Sequence, residues 1–183
     1  MKVLIFLVEG FEEVEALTVV DYLRRMDIEI DMVSTMEEKE VKGAHNIKVI
    51  ADKLIDEINN LDLYKAAIIP GGLPGATNLR DDKKVIDIIK EMYNRDKLIA
   101  AICAGSIVLE RAGILEGKKT TSYPGFEDQL KKSIYKEDNV VSDDNIITSR
   151  GPSLAVDFAV EIVRYLLDDN KAEELKKDIL YKG

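Results

Sequence analysis

The sequence predicts an α/β fold: a mostly parallel sheet with helices on both faces and a cysteine at a strand-to-helix elbow. Apolar runs of strand length alternate with stretches of helical periodicity, the pattern of a sheet covered on both sides. The runs Lys2–Val8, Tyr64–Ile69 and Leu98–Ile102 are apolar nearly throughout, as strands buried on both faces are. The last of them ends on the only cysteine of the chain, followed by small residues and a helical stretch. At 183 residues, without linker, repeat or low-complexity segment, the chain is read as one domain over residues 1–183.

Lys2–Val8 is the first strand, and Glu9-Gly10-Phe11-Glu12 turns the chain. From Glu13 to about Met26, the spacing of Val14, Leu17, Val20 and Leu23 indicates a helix, with acidic residues at its start and Arg24-Arg25 at its end, as the helix dipole favours. Ile28–Val33 alternates apolar and polar residues, so a more exposed strand nearer an edge is expected. Glu37–Ile50 reads as a short hairpin around Gly43, and Leu54–Ile58 as a short helical segment. After the strand Tyr64–Ile69 come Pro70-Gly71-Gly72-Leu73-Pro74-Gly75 and a helix over Lys83–Tyr93. A short strand at Lys119–Ser122, a helix over Pro124–Lys132, and a tight hairpin-like pair, Asn139–Val141 with Asn145–Thr148, follow the elbow. Helices over Ser153–Leu167 and Ala172–Leu180 close the pattern.

Composition excludes several functions. A formal net charge of −9 argues against nucleic acid or an anionic membrane as a bulk electrostatic partner. No apolar run approaches the roughly 20 residues of a membrane span. The chain begins directly with a strand and carries no basic region or cleavage site, so no signal peptide is expected. One cysteine cannot form an internal disulfide, which fits a reducing cytoplasm. One cysteine and one histidine also exclude a Cys/His zinc cluster, leaving only carboxylate-based metal sites open.

In a parallel sheet, ligands bind beyond the C-terminal strand ends, where the loops Glu9–Glu15, Pro70–Gly75 and the Cys103 elbow fall. Ala101-x-Cys103-x-Gly105 is a cysteine counterpart of the nucleophile-elbow pattern, whose strained turn needs small neighbours. Free cysteine is commonly inert packing. Here the small residues after Cys103 and the helix N-terminus, which stabilises thiolate over thiol, favour a reactive side chain with a depressed pKa. The backbone N–H groups of Gly72 and Ala104 are placed to form an oxyanion hole, with Gly71 in the same turn. Of Glu12, Glu13 and Glu15, one or two can face the elbow, where a desolvated carboxyl would have a raised pKa and move protons. Tyr123, just after a strand end, is a candidate hydrogen-bond donor. The sole histidine, His45, reads as an exposed turn residue; a Cys–His pair would need it to fold in or to arrive from a second subunit.

Four motifs together resemble the ThiJ/PfpI superfamily, on the branch of the Parkinsonism-associated protein DJ-one and its bacterial relatives. They are Gly10-Phe11-Glu12-Glu13-Val14-Glu15, Ile69-Pro70-Gly71-Gly72, Ala100-Ala101-Ile102-Cys103-Ala104-Gly105 and Thr148-Ser149-Arg150-Gly151-Pro152. The resemblance spans nearly the whole chain and implies a flavodoxin-like three-layer sandwich and a homodimer. It implies a cysteine readily oxidised to sulfinate, with Glu15 hydrogen-bonded to the sulfur. Gly72 and Ala104 match the family's backbone donors, Arg150 an arginine near the site and the dimer contact, and Asp21 and Arg25 positions near the subunit interface. Two positions depart: Ala104 replaces the histidine that follows the cysteine in the protease-like branch, and Tyr123 replaces a histidine of the DJ-one branch.

The function expected from this is a cytoplasmic, cofactor-free enzyme acting through Cys103 and Glu15 on reactive aldehydes or their glycated adducts, of the glutathione-independent glyoxalase or deglycase type. An oxidative-stress sensor or redox-regulated chaperone working by Cys103 oxidation is the alternative, and an amidase or peptidase would need a base from elsewhere. No bound metal, membrane or nucleic acid is expected.

Overall fold

The structure, a computed structural model, describes residues 1–182. In chain order its elements are β1 (Lys2–Leu7), α1 (Glu13–Arg25), β2 (Glu29–Ser34), β3 (Glu40–Lys42), β4 (Lys48–Ile50), β5 (Lys53–Leu54), β6 (Tyr64–Ile69), α2 (Gly75–Asp81), α3 (Lys83–Asn94) and β7 (Leu98–Ile102). After β7 come α4 (Ser106–Ala112), β8 (Lys119–Thr120), β9 (Ile134–Tyr135), β10 (Val140–Asp143), β11 (Ile146–Ser149), α5 (Ala155–Leu166) and α6 (Asp169–Asp178). Seven strands form the central sheet in the order β10-β11-β7-β6-β1-β2-β5, all parallel except β10, which pairs antiparallel with β11.

The sheet is buried on both faces, as its apolar strands require. Val3, Ile5 and Leu7 of β1 face Leu23 of α1, Phe158 of α5 and Leu175 of α6. Leu4 and Phe6, pointing the other way, meet Leu79 of α2, Ile89 of α3 and Leu109 of α4. The result is the expected three-layer, flavodoxin-like α/β arrangement. Because β1, β6 and β7 are neighbours, the loops at their C-terminal ends lie side by side. No helix among the described residues is long and apolar enough to cross a membrane.

Several local expectations are corrected. Pro124–Lys132 is not a helix but a single 3₁₀ turn at Glu127–Gln129, with Gly125 in the left-handed region at φ 97° on its approach and Leu130 out of helical geometry at its end. The chain there instead pairs Ile134–Tyr135 in parallel with β8, a two-stranded sheet that the pattern did not reveal. Leu54–Ile58 holds only a 3₁₀ turn, Ile55–Glu57, because Lys53–Leu54 is taken up as the edge strand beside β2. Helix α2 was unforeseen, its start hidden in Pro74-Gly75.

Strand β2 lies next to the edge, as expected, but is more buried than its alternation suggests. Its Asp31 is buried because the Tyr64 hydroxyl donates to it at 2.6 Å and Lys2 lies 3.0 Å away. Lys53 completes the cluster at 3.3 Å. A hydrogen bond to a charged group is worth about 1.5–3 kcal/mol. Tyr64→Phe is therefore expected to lower stability by about that amount in urea unfolding; an unchanged midpoint would mean that the lysines alone satisfy Asp31.

Candidate active site

Cys103 directly follows β7 and opens the 3₁₀ segment Cys103–Gly105 that leads into α4. Its φ is 61°, a left-handed conformation that non-glycine residues adopt at a cost, as the elbow pattern requires. The small residues beside it have a steric reason. A Cβ on Gly105 would lie 2.7 Å from the Pro70 carbonyl oxygen, so the elbow packs directly on the end of β6.

The loop after β6 is built the same way. Gly72 has φ 88°, and a Cβ there would fall 2.4 Å from the Glu12 nitrogen and 2.5 Å from the Gly10 oxygen. Gly71 needs its bareness for space alone: a Cβ would sit 2.7 Å from both the Cys103 Cβ and Glu15 Oε2. The Glu12 N–H donates to the Gly71 carbonyl at 2.9 Å, locking the β1 and β6 loops together.

Glu15, on the first turn of α1, is fully buried. Its Oε2 accepts the Gly71 N–H at 2.7 Å, and the carboxyl lies beside Cys103, since a Cβ on Gly71 would meet both. Its Oε1 has no hydrogen-bond partner. Burial pushes the Glu15 carboxyl up to about 7, against the pull of the Gly71 N–H. Burial also pushes the Cys103 thiol up to about 12, with the Glu15 charge adding to it, while the N–H groups of Ala104 and Gly72 pull it down. This reverses the depressed pKa that the sequence suggested. The helix N-terminus was legible; the depth at which β7 delivers the sulfur was not. The two groups act as one unit that holds two protons below about pH 7 and one above it.

A cavity of about 550 Å³ opens over this pair. Gly72 and Ala104 line it with Cys103 and Glu15, and Ala44, Leu73, Phe126 and Pro152 make it largely apolar. Tyr123 lines it too, half-exposed, with its ring 3.2 Å from where a Gly151 Cβ would sit and its N–H on the Cys103 carbonyl at 3.4 Å. Arg150 is not brought in: its Nη1 donates to the Glu137 carbonyl at 2.9 Å and it does not line the cavity. Asp21 and Arg25 pair with each other at 2.9 Å on the exposed side of α1.

The three N-terminal glutamates have separate placements. Glu15 meets the cysteine, Glu12 lines the cavity, and Glu13 holds the β3–β4 hairpin. Glu13 Oε1 accepts the His45 N–H at 2.8 Å and the Ile47 N–H at 3.3 Å, while Oε2 lies 3.0 Å from His45 Nδ1. His45 is on a turn and largely exposed, as expected, yet it lines the same cavity as Cys103. Sequence reasoning missed that, along with Phe126. The available signal was the coincidence of one histidine with a run of glutamates. Glu12, Glu13 and His45 also place one ligand-type atom each within 4.8 Å of the others. The backbone N–H groups on Glu13 account for that arrangement without an ion.

A family model for the DJ-1/PfpI family matches residues 1–165. The chain is 33% identical over 184 residues to the Parkinson disease protein 7 homolog of Danio rerio, covering 99% of this chain and 97% of that one. It is 32% identical over 188 residues to the glutathione-independent glyoxalase DJ-1 of Schizosaccharomyces pombe, covering 98% of each. Two longer Arabidopsis thaliana relatives are spanned over 41% and 46% of their lengths. The solved structure of oxidized Toxoplasma gondii DJ-1 superposes with a TM-score of 0.94 at 36% identity, covering 100% of this chain and 99% of that one. With a matching family model over most of its length and relatives that it covers end to end, the protein belongs to the DJ-1/PfpI family.

Proposed function

We propose that this protein is a cofactor-independent enzyme that converts small 2-oxoaldehydes such as methylglyoxal, or their adducts, through Cys103 and Glu15. The observation that carries this reading is the half-buried Cys103 beside the buried Glu15, facing two backbone N–H groups in a largely apolar cavity. As the Cys103 sulfur bonds to the aldehyde carbon, its proton passes to the Glu15 carboxylate. The oxyanion that forms is held by the N–H groups of Gly72 and Ala104, and Glu15 returns the proton to it, leaving a hemithioacetal. Glu15, ionised again, takes the proton from that carbon and delivers it to the neighbouring one, giving a thioester of a 2-hydroxy acid. Water cleaves the thioester, releasing the hydroxy acid and restoring the thiol.

A relative named as a glutathione-independent glyoxalase supports the reaction class. A pKa of about 7 suits a carboxyl that must give and take protons at neutral pH. Gly71, Tyr123 and Phe126 shape the cavity, whereas Arg150 acts on the neighbouring loop. Peptidase chemistry is disfavoured, since Ala104 offers no base. A homodimer is supported by the exposed apolar side chains of Val14 on α1 and Ile47 on the hairpin. The single cysteine, with no disulfide to preserve, suits the cytoplasm.

The test is methylglyoxal consumption without glutathione, followed as 2-hydroxy acid formed. The wild-type protein is expected to turn over many times per Cys103, and Cys103→Ser to lose at least tenfold. Turnover by Cys103→Ser within tenfold of wild type would sink the mechanism. The redox-sensor reading rests on Glu15 Oε1, which is buried without a hydrogen-bond partner: once protonated, it can donate to a sulfinate oxygen. Mild peroxide followed by mass spectrometry of the Cys103 peptide checks it; absence of a two-oxygen species would remove it.

A further inference from the structure

We propose that His45, held by Glu13, is the acid–base residue for the second oxygen of the substrate. The proposal rests on the aldehyde reading above and adds a residue to it. His45 is the only histidine of the chain, and it lines the Cys103 cavity from the hairpin side.

Its placement is fixed from both ends. The Ala44 N–H bonds to the Phe11 carbonyl at 2.9 Å, and the His45 N–H bonds to Glu13 Oε1 at 2.8 Å. Gly43 admits the carboxyl, since a Cβ there would lie 2.3 Å from Glu13 Oε1. Glu13 is almost completely buried, whereas the imidazole is 66% exposed. The rigid partner therefore positions the accessible one. Burial works against the Glu13 charge, but hydrogen bonds from its own backbone, His45 and Ile47 hold it below the usual carboxylate range. Glu13 is thus an acceptor, so His45 donates Nδ1–H at 3.0 Å and Nε2 is left for a ligand. The same bond to Glu13, then the charges of Glu12 and Glu13, raise the imidazole above its ordinary value.

The other charged groups near the cavity are committed elsewhere. Glu15 is committed to the sulfur, and Glu12, 3.5 Å from His45 Nδ1, is a further carboxylate. The lysines of the hairpin are engaged elsewhere, Lys42 with Glu9 and Lys48 with Glu40. In the proton shift, the imidazolium Nε2–H gives its proton to the ketone oxygen while Glu15 removes the carbon-bound one, producing an enediol. The neutral imidazole then takes the proton from the first hydroxyl as Glu15 delivers its own to the second carbon. The ledger closes with both groups restored.

Methylglyoxal turnover against pH, with iodoacetamide alkylation of Cys103 as the control, tests this in the full chain. His45→Gln is expected to lose about a hundredfold in turnover. It should also flatten the fall in rate above the imidazole pKa, where wild type loses its acid, and alkylate within twofold of wild type. Glu13→Gln is expected to weaken the same limb by reversing the tautomer, and free imidazole to restore part of the activity of His45→Ala. Turnover within threefold and an unchanged profile in His45→Gln would overturn the proposal, as would equal losses in turnover and alkylation. Absence of turnover in wild type would overturn the aldehyde reading itself and this residue assignment with it.

Discussion

Glu15→Gln is expected to cost about 10²–10⁴-fold in methylglyoxal turnover, the range for a positioned acid–base group. Glutamine keeps the acceptor for the Gly71 N–H, so the loop that carries the oxyanion donors stays in place. What disappears is the base for the thiol proton and the carrier of the carbon-bound one. The variant also has no buried charge to desolvate, so its fold is expected to be at least as stable as wild type at pH 8. There is a sign to that effect. Glu15 binds its proton more tightly folded, at about 7, than its ordinary 4.5. Its contribution to stability is complete below pH 4.5 and is lost as pH rises through about 7. Thermal melts of both proteins at pH 5 and pH 8 separate catalytic loss from unfolding. Turnover within tenfold of wild type would remove Glu15 from the mechanism.

Gly72→Ala is expected to act on fold and chemistry together. At φ 88° any other residue is strained, by about 1–3 kcal/mol. The added Cβ would also meet backbone atoms of Glu12 and Gly10 at 2.4 and 2.5 Å, and backbone cannot rotate aside as a side chain can. The loop must shift, and its N–H shifts from the sulfur with it. Losing one oxyanion donor costs about 10²–10³ in rate. The expected result is a lower melting temperature and turnover reduced at least about a hundredfold, whereas Glu15→Gln reduces turnover alone. Full activity in Gly72→Ala would mean that its N–H is no donor in the reaction.

The elbow was legible because three separate requirements fell in one place: an apolar strand, a nucleophile and small residues. Its outcome is the left-handed backbone of Cys103 and the bare approach of Gly105 to Pro70. Glu15 was not separable from Glu12 and Glu13 by helical spacing; only the family resemblance selected it. What distinguishes them is packing from afar, with the Gly71 N–H on one and the hairpin backbone on another. His45 was invisible as a cavity residue for the same reason, since its placement comes from contacts 32 residues away in the chain. The failed helix at 124–132 shows the limit of periodicity, because the backbone at Gly125 and Leu130 confines helical geometry to one 3₁₀ turn.

The rate of Cys103 alkylation against pH, in wild type and in Glu15→Gln, is the most direct measurement of the central claim that these two groups share one proton. Below about pH 7 both are protonated and the sulfur is inert; above it the carboxylate can take the thiol proton, so the wild-type midpoint is expected near 7. In Glu15→Gln no base remains and burial still opposes the thiolate, so the midpoint is expected above the ordinary thiol value of about 8.5. The same midpoint in both proteins would contradict the pairing.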